Sequence, residues 1–376
     1  MKTLFDHQIF SQQKYGGISR YYSEIMYLLA FESQIKCSLL YTTNEHLKEK
    51  GLLPDFFTSK VLRFLIPSKR IKRFLYKRIN KIYSIFYLLK GDFDVFHPTY
   101  YDTYFLRYLL DSKKLVVTVY DLTHEKFSSH IPSLKKDFSA CDKHFILKRA
   151  DMIIAISEST KKDIIQYYGI ASEKIRVIYL ATGPANHYLI AKEFESRVLN
   201  NKYLLFVGNR TGYKNFNLFV EAVSELLLQK DDLVLLCAGG SSFTLYEIKW
   251  LQERRLEKKV VHVNFNNDLE LNFLYRNAVC FIFPSLYEGF WIPILEAFAN
   301  QCPVVASNTS SLPEVGGDAA MYFDPNNQAD ILEKITMMID DEALKEDMVK
   351  RGNARLLNFS WEKCAREHLD VYQSVI

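Results

Sequence analysis

Short runs of apolar and β-branched residues alternate with helix-like stretches along the second half of the chain. The runs are KYLLFVG (202–208), DLVLLCAGG (232–240), VVHVNF (260–265) and AVCFIFPS (278–285). Helices are predicted to begin near Asn217, near Asp268 and just before ILEAFAN. Continuous apolar strands that alternate with helices are typical of a parallel sheet covered on both faces. This half of the chain is therefore predicted to be an α/β domain.

The first half contains comparable runs, which predict strands at 36–42, 94–98, 114–121, 151–157 and 175–180. A chain of 376 residues is longer than one hydrophobic core usually organises, so two domains of roughly 180 residues each are expected. The predicted fold class is therefore α/β, with two Rossmann-like, doubly wound domains that face a central cleft.

The predicted domain boundary follows from a break in this alternation. The segment TGPANHYLIAKEFESRVLNN, residues 182–201, separates the last strand of one domain from the first strand of the next. We predict a first domain over 1–190 and a second over 191–358. The segment 359–376 is predicted to form a helix from about Trp361, after a complete second domain.

Composition excludes several classes of protein. The net charge of +4 is small and no pure Lys/Arg run occurs, which argues against nucleic acid as the main partner. Asp6 and His7 interrupt the start of the chain, and no apolar stretch of about 18 uncharged residues follows. We therefore expect a cytoplasmic protein without a membrane-spanning helix. The six cysteines form no Cys-x-x-Cys pair, and no metal site is predicted.

Residues 60–90 interleave Lys and Arg with Phe, Leu, Ile and Tyr at roughly helical spacing. A basic amphipathic helix of this kind binds anionic membrane surfaces, so peripheral contact with the inner face of the cytoplasmic membrane is one interpretation. An ordinary solvated helix packed on its domain is the alternative.

The segment PSLYEGFWIPILEAFAN, residues 284–300, has the clearest chemical pattern. A short loop after an apolar strand carries Glu288, and a helix that contains Glu296 begins near Pro293. The unsatisfied N–H groups and the positive dipole end of a helix start favour a diphosphate. Carboxylates on either side can accept hydrogen bonds from sugar or ribose hydroxyls. A surface glutamate and a loop charge are the alternatives for the two residues taken singly.

Two further loops carry candidate residues. FVGNRTGYKNFNLFVEA (206–222) places Arg210 and Lys214 around a Gly loop ahead of a helix, where two cations can neutralise a leaving diphosphate. KYGGISRYYSEI (14–25) places a Gly-Gly turn at a helix start, where the backbone can approach a phosphate or sugar closely. Solvated loop cations and a simple turn are the alternatives.

These segments resemble a known family. EGFWIPILEAFAN and the following CPVVASNTSSLPEVGGDAAMYFDP (302–325) are similar to the retaining glycosyltransferases of family 4, which have the GT-B fold and two Glu residues spaced E-x7-E. The resemblance covers most of the C-terminal half and includes the Gly-Gly loop. The chain has Trp291 where the family usually has Gly. The resemblance also implies that the C-terminal helix returns to the first domain.

The resemblance assigns roles to individual residues. Glu296 would hold the ribose, Glu288 would contact the donor sugar, and Asp121 would orient the acceptor. The implied catalytic residues are Asp121, Arg210, Lys214 and Glu288. The implied donor-binding residues are Gly16, Gly17, Asn209, Arg210, Lys214, Ser285, Glu288, Gly289, Phe290, Trp291, Ile292, Leu295 and Glu296. The implied acceptor-binding residues are Arg20, His97, Tyr120, Asp121 and His124, with a structural role as the alternative for both histidines.

The implied activity is transfer of a hexosyl group from a nucleoside-diphosphate sugar to a hydroxyl of a growing polysaccharide or lipid-linked glycan, with retention of the anomeric configuration. Members with a similar opening FDHQIFSQQKYGGISRYYSEI and a similar GNRTGYKNF loop act in polysaccharide or O-antigen synthesis. They often use GDP-mannose or related GDP-sugars, and a UDP-sugar is the alternative donor. No cofactor is expected, because Arg210, Lys214 and the helix start would balance the diphosphate charge without a metal.

Three other functions fit parts of the pattern. A sugar-nucleotide 2-epimerase of the GT-B fold would share the diphosphate site but need no acceptor. A degenerate transferase-like binding module would show no turnover. A dinucleotide oxidoreductase would need Gly-x-Gly-x-x-Gly after a strand and an acidic residue about 20 positions later, and the sequence lacks this arrangement.

Overall fold

The structure divides the chain into two compact units. This computed structural model describes residues 1–52, 69–129, 139–183, 192–210 and 212–376. The first unit is Met1–Leu180 together with Ser360–Ile376, and the second is Ala181–Phe359. The predicted boundary at 190 falls outside the described residues, whereas the units divide after Leu180. The first unit is therefore built from both ends of the chain.

The first unit contains a parallel sheet of six strands in the order β2-β1-β3-β4-β5-β6. The strands are β1 Lys2–Phe5, β2 Gln34–Cys37, β3 Val95–His97, β4 Lys114–Val119, β5 Met152–Ala155 and β6 Ile175–Val177. Thr3 of β1 lies opposite Ile35 of β2 on one side and Val95 of β3 on the other. The strand order therefore changes direction between β1 and β3, which is the topological switch point of this sheet.

The second unit contains a parallel sheet in the order β12-β11-β10-β7-β8-β9. Its strands are β7 Lys202–Val207, β8 Leu233–Ala238, β9 Val260–Val263, β10 Cys280–Phe283, β11 Val304–Ser307 and β12 Ala320–Phe323. Phe281 of β10 lies opposite Leu205 of β7, and the order changes direction between these two strands. Two parallel six-stranded sheets with flanking helices confirm the predicted α/β class with two Rossmann-like domains.

Helices connect the strands in both units. In the first unit they are α1 Gln8–Gln12, α2 Gly17–Leu29, α3 Glu45–Glu49, α4 Lys69–Lys90, α5 Thr123–Phe127, α6 Ser139–Arg149 and α7 Glu158–Tyr168. In the second unit they are α8 Lys192–Val198, α9 Phe216–Gln229, α10 Leu245–Glu253, α11 Asp268–Asn277, α12 Ile292–Ala299, α13 Leu312–Gly316, α14 Gln328–Asp340 and α15 Glu342–Leu356. The last helix, α16 Trp361–Ser374, belongs to the first unit.

The central strands are apolar because helices cover them on both faces. Every residue of β8, LVLLCA, is buried, as is every residue of β10, CFIF. The apolar face of α9 packs into the core of the second unit through Phe219, Val223 and Leu227. This is the arrangement that continuous apolar strands predict. The helix starts also match their sequence: Ser157 Oγ accepts the Thr160 N–H at 3.0 Å and so caps α7.

The predicted strand at 36–42 is wrong in position. β2 covers Gln34–Cys37 and ends where the prediction begins. The N–H groups of Leu40 and Tyr41 both donate to the side-chain oxygen of Asn80 in α4, at 3.0 Å each. The N–H groups that a longer strand would need for pairing are therefore used by Asn80. The strand ends although the apolar sequence continues.

The predicted basic amphipathic stretch is described from Lys69 onward, where it forms α4, and 60–68 lies outside the described residues. One side of α4 is buried through Asn80, Ser84 and Leu88. The side chains of four large apolar residues are exposed, namely Phe74, Ile82, Phe86 and Leu89. No helix in the described part of the chain is long and apolar enough to cross a membrane.

Candidate functional site

The loop after β10 carries Glu288 and is fixed by two serines from the loop after β11. The Glu288 N–H donates to Ser310 Oγ at 3.1 Å, and Ser311 Oγ donates to the Glu288 carbonyl oxygen at 3.0 Å. These hydrogen bonds hold the backbone of Glu288 on both sides. No local sequence pattern identifies the two serines, because the contact joins loops of different strands.

The positively charged side chain of Lys214 lies beside Glu288. It ends a short 3-10 turn, Gly212–Lys214, that follows β7. Lys214 Nζ lies 2.7 Å from Glu288 Oε1, and each of the two side chains is 17% exposed. The backbone joins the same two loops, because the Leu286 N–H donates to the Tyr213 carbonyl oxygen at 2.8 Å. The loops after β7 and β10 are therefore linked by an ion pair and a hydrogen bond.

This ion pair lies at the topological switch point of the second sheet. β7 and β10 are neighbours, and the strand order runs in opposite directions away from them. The chain leaves two such strands towards opposite faces of the sheet, which opens a crevice at their carboxyl ends. Open α/β sheets bind ligands in this crevice. A cation, a carboxylate and the start of α12 suit a ligand that carries both phosphate and hydroxyl groups.

Glu296 lies in the second turn of α12 and is oriented by α11. The Tyr275 hydroxyl donates to Glu296 Oε2 at 3.2 Å. Burial and then the neighbouring Glu296 raise the pKa of Tyr275 well above its usual range, so the phenol keeps its proton and remains a donor. Pro293 sits in the first turn of α12, where its missing N–H costs nothing.

The other predicted donor-binding residues of this segment differ in accessibility. Phe290 and Ile292 are partly exposed, and Phe290 packs edge to face against Phe359. Gly289, Ser285 and Trp291 are buried. Leu295 is also buried in the core, and its part in donor binding stays a prediction.

Arg210 follows β7, as Lys214 does, but its side chain contacts the segment after β8. Its Nε lies 2.8 Å from Glu247 Oε1, and its Nη2 donates to the Ser241 carbonyl oxygen at 2.7 Å. Burial opposes ionisation of Glu247, but the hydrogen bond from Arg210 lowers the pKa of this carboxyl. Glu247 also completes a capping box with Thr244 at the start of α10. Glu247 therefore carries the countercharge of Arg210. The role of Arg210 at a diphosphate stays a prediction.

Asn209 and Arg210 line a separate cavity of about 320 Å³ with Glu247. Asn209 is exposed in the loop after β7. Gly240, in the loop after β8, has a φ of 67°, and a Cβ at this position would lie 3.1 Å from the Gly208 carbonyl oxygen. Only glycine allows the two loops to approach this closely. The Thr-x-x-Glu pattern at 244–247 is the sequence signal that identifies Glu247.

The Gly-Gly turn lies at the start of α2, as expected. A Cβ at Gly16 would collide with the side-chain amide of Gln13. Gln13 Oε1 accepts the Ser19 N–H at 3.2 Å, so one N–H of the first turn is already used. Gly17 is exposed and Arg20 is partly exposed. The first turn of α2 therefore keeps fewer donors for a ligand than the sequence suggested.

Asp121 lies after β4 at the carboxyl edge of the first sheet. Its carboxylate accepts the Thr123 N–H at 2.9 Å, and its carbonyl oxygen accepts a hydrogen bond from Lys143 Nζ at 2.9 Å. Lys143 is buried and also pairs with Glu125 at 3.2 Å. No local sequence pattern identifies Lys143, because its partners lie about 20 residues away on another element. His124, in the first turn of α5, is partly exposed.

The predicted acceptor contacts of His97 and Tyr120 are corrected by burial. His97 is 0% exposed and is hydrogen-bonded to Tyr372 at 2.7 Å and to Thr118 at 3.0 Å. Burial, together with the neighbouring His368, lowers the pKa of His97 well below its usual range. Tyr120 is also buried. Both side chains belong to the interior of the first unit and have a structural role there.

Two family models match the chain, one over each half. The model "Glycosyltransferase Family 4" matches residues 16–182, and "Glycosyl transferases group 1" matches residues 190–355. The matches therefore include the Gly-Gly turn, Asp121, Lys214, Glu288 and Glu296.

Individual relatives are transferases as well. The chain is 28% identical to O-antigen chain mannosyltransferase B of Escherichia coli over 270 residues, which cover 69% of this chain and 70% of the relative. It is 27% identical, over 63% of this chain and 65% of the relative, to the N-acetylgalactosamine-N,N'-diacetylbacillosaminyl-diphospho-undecaprenol 4-alpha-N-acetylgalactosaminyltransferase of Campylobacter jejuni. The structure of Anabaena HepE in complex with UDP-glucose superposes with a TM-score of 0.73 at 17% identity, over 100% of both chains.

Proposed function

Because this chain is a family 4 glycosyltransferase with the GT-B fold, we propose that it transfers a hexosyl group from a nucleoside-diphosphate sugar to a hydroxyl of a growing polysaccharide or lipid-linked glycan, with retention of configuration. The ion pair between Lys214 and Glu288 at the β7/β10 switch point is the observation that carries the proposal. It places a cation and a hydroxyl acceptor beside the start of α12, as a nucleotide-sugar requires.

Each charged group has a proposed task at the donor. Lys214 and the N–H groups at the start of α12 contact the diphosphate, whose negative charge grows as the glycosidic bond breaks. Glu288 accepts hydrogen bonds from sugar hydroxyls and Glu296 from the ribose. Lys214, Arg210 and the helix start are proposed to offset the diphosphate charge, and no metal is proposed. The mannosyltransferase relative favours a mannosyl group as the sugar transferred. The proposed donor is GDP-mannose or a related GDP-sugar, and a UDP-sugar is the alternative.

In the proposed reaction, the bond between the anomeric carbon and the diphosphate oxygen breaks, and its electron pair leaves with the diphosphate. A bond forms between the acceptor oxygen and the same carbon, and the acceptor proton passes to the leaving diphosphate. Asp121, which follows β4 and is partly exposed, is proposed to orient the acceptor hydroxyl.

The acceptor is proposed to be held at an anionic membrane surface through α4. This helix of 22 residues contains no acidic residue, and its exposed apolar side chains are interleaved with Lys and Arg. Such a helix lies in the interface of an anionic bilayer, with its apolar side chains in the acyl boundary. The undecaprenol-linked substrate named for the Campylobacter jejuni relative is of the same lipid-linked kind.

Melting temperatures measured with GDP, UDP, ADP and dTDP, each with and without Mg²⁺, test the donor site. A ligand that binds only the folded protein stabilises it by about 2.7 kcal/mol at 100 times its Kd. We expect one diphosphate, GDP first, to raise the melting temperature by a few degrees without Mg²⁺. A response to none of the four would contradict the proposal and favour a degenerate binding module. Product analysis with the corresponding sugar nucleotide separates transfer to an acceptor from 2-epimerisation.

A further inference from the structure

The loop after β11 presents three consecutive hydroxyl side chains to the loop that carries Glu288. Thr309 Oγ1 donates to the Ser285 carbonyl oxygen at 3.3 Å. Ser311 Oγ donates to the Glu288 carbonyl oxygen at 3.0 Å. Between them, Ser310 Oγ accepts the Glu288 N–H at 3.1 Å and donates to the Glu288 carbonyl oxygen. A hydroxyl can donate once and accept twice, so Ser310 binds both peptide groups that flank the Cα of Glu288.

Ser310 makes these contacts in an unfavourable backbone conformation. Its φ is 58°, which lies in the left-handed region. A residue with a Cβ is strained in this region, whereas glycine is not. Such strain persists only where the surrounding structure fixes the backbone, and it is concentrated at functional sites. The backbone at this position would suit glycine better, so the hydroxyl is the part of the side chain that requires an explanation.

Ser311 departs from a second local rule. It is the N-cap residue of α13, where a serine side chain commonly accepts an N–H of the first helical turn. The Ser311 side chain makes no such hydrogen bond, and its buried hydroxyl donates to the Glu288 carbonyl oxygen instead. Two adjacent departures from local rules therefore converge on one residue, and departures of this kind are expected at functional sites.

The backbone position of Glu288 determines where its carboxylate lies. Glu288 Oε1 is 2.7 Å from Lys214 Nζ at the β7/β10 switch point. On the side of β7, the Leu286 N–H donates to the Tyr213 carbonyl oxygen at 2.8 Å. On the side of β11, the serine hydroxyls hold residue 288 itself. A misplacement of about 1 Å at a reacting site can reduce a rate about 100-fold, so loss of these contacts should affect the reaction more than the fold.

We propose that Ser310 is a positioning residue for the transfer reaction and that Ser311 supports it. The Ser310 hydroxyl holds the backbone of Glu288, so that the carboxylate stays beside Lys214 and in reach of the donor sugar. Ser310 acts through Glu288 and not by contact with the substrate. This inference rests on the proposed transfer from a nucleoside-diphosphate sugar.

Replacement of Ser310 by glycine separates the hydroxyl from the backbone conformation. Ser310→Gly removes the hydroxyl but suits a φ of 58°, so its melting temperature should stay within a few degrees of wild type. We expect kcat for the release of GDP from GDP-mannose by water to fall about ten-fold or more, because Glu288 is no longer held. The Kd for GDP, which lacks the sugar, should stay close to that of wild type. UDP-glucose and UDP replace these probes if UDP is the diphosphate that stabilises the protein.

The matched control is Arg255→Gly. Arg255 is exposed, follows α10 in the same unit and also has a φ of 58°. Its backbone N–H donates to the Gln252 carbonyl oxygen at 3.0 Å, a contact that glycine keeps. This variant receives the same relief of backbone strain, and it should keep the wild-type kcat and Kd.

Ser311→Ala is the second site variant. It should reduce kcat several-fold with little change in melting temperature, because the Ser311 side chain caps no N–H of α13. A serine that serves the fold alone would instead show a lower melting temperature at unchanged kcat. Where Ser310→Gly does not fold, the kcat of Ser311→Ala decides.

The outcomes separate this inference from the proposed function. Wild-type kcat in Ser310→Gly, or an equal loss of kcat in Arg255→Gly, would overturn the positioning role and leave the proposed function intact. A wild-type protein that binds no nucleoside diphosphate and releases none from a sugar nucleotide would overturn the proposed function and this inference with it.

Discussion

Lys214 and Glu288 show at the residue scale how two loops make one site. Each is a single charge in a loop, and neither is informative by itself. The parallel pairing of β7 with β10 brings them to 2.7 Å from one another. Glu296 joins the same segment through α12 and is held by Tyr275. The ion pair and Glu296 therefore lie in the same unit, on two neighbouring loops and the helix that follows one of them.

Substitutions at these residues should reduce donor use without unfolding the protein. We expect Lys214→Ala and Glu296→Ala each to lower kcat/KM about 100-fold, since each removes a charged contact to the donor. Circular dichroism and melting curves would verify folding, and the exposed Lys249→Ala on α10 serves as the matched control. Near-normal kcat/KM in both site variants would show that the donor binds elsewhere.

At the element scale, α4 combines two different faces. Asn80 and Ser84 are buried and hydrogen-bonded to the segment after β2, whereas Ile82 is 68% and Phe86 59% exposed. The hydrogen bonds of Asn80 and Ser84 hold α4 against the first unit, although the helix carries many positive charges. Packing within the first unit does not account for the apolar side chains of Ile82 and Phe86, which are exposed.

Removal of the exposed apolar side chains should weaken membrane binding. We expect the wild-type protein to sediment with phosphatidylglycerol vesicles more than with phosphatidylcholine vesicles, and less at high salt. Ile82→Ser with Phe86→Ser should reduce binding to the anionic vesicles about ten-fold or more, because apolar area no longer enters the interface. The control is Leu245→Ser on α10, which is also highly exposed. Equal sedimentation of both variants with wild type would contradict the role of α4.

At the scale of the whole molecule, the two ends of the chain meet in one polar network. His368 of α16 donates its Nδ1–H to the Cys364 carbonyl oxygen at 2.7 Å and contacts the Tyr21 hydroxyl of α2 at 2.6 Å. Thr118 Oγ1 lies 2.8 Å from the Tyr21 hydroxyl and 3.0 Å from His97 Nε2. The network is satisfied when both histidines are neutral. The C-terminal helix is therefore part of the core of the first unit.

This network should make the protein less stable in mild acid. Burial lowers the pKa of His368 from 6.5 to about 4. Between these values the unfolded state binds more protons than the folded state, so the free energy of unfolding falls as the pH drops. At pH 5 the loss from His368 is about 2 kcal/mol relative to pH 7.

Urea denaturation at pH 7 and pH 5 would measure this effect. His368→Gln should be less stable than wild type at pH 7 but should lose about 2 kcal/mol less between the two pH values. His262→Gln, at a partly exposed histidine of the second unit, is the control and should keep the wild-type difference. An equal loss in His368→Gln and wild type would show that His368 does not cause the acid sensitivity.

The sequence by itself determined the α/β class, the strands β7 to β10 of the second unit and the segment with Glu288 and Glu296, because apolar periodicity and helix starts are local properties. Burial depends on contacts distant in sequence, and it placed His97, Tyr120 and Leu295 inside the protein. Tertiary contacts also determine that β2 stops at Cys37. They likewise determine that Arg210 pairs with Glu247. The pairing of Lys214 with Glu288 follows from the strand order of the sheet, which no local pattern encodes.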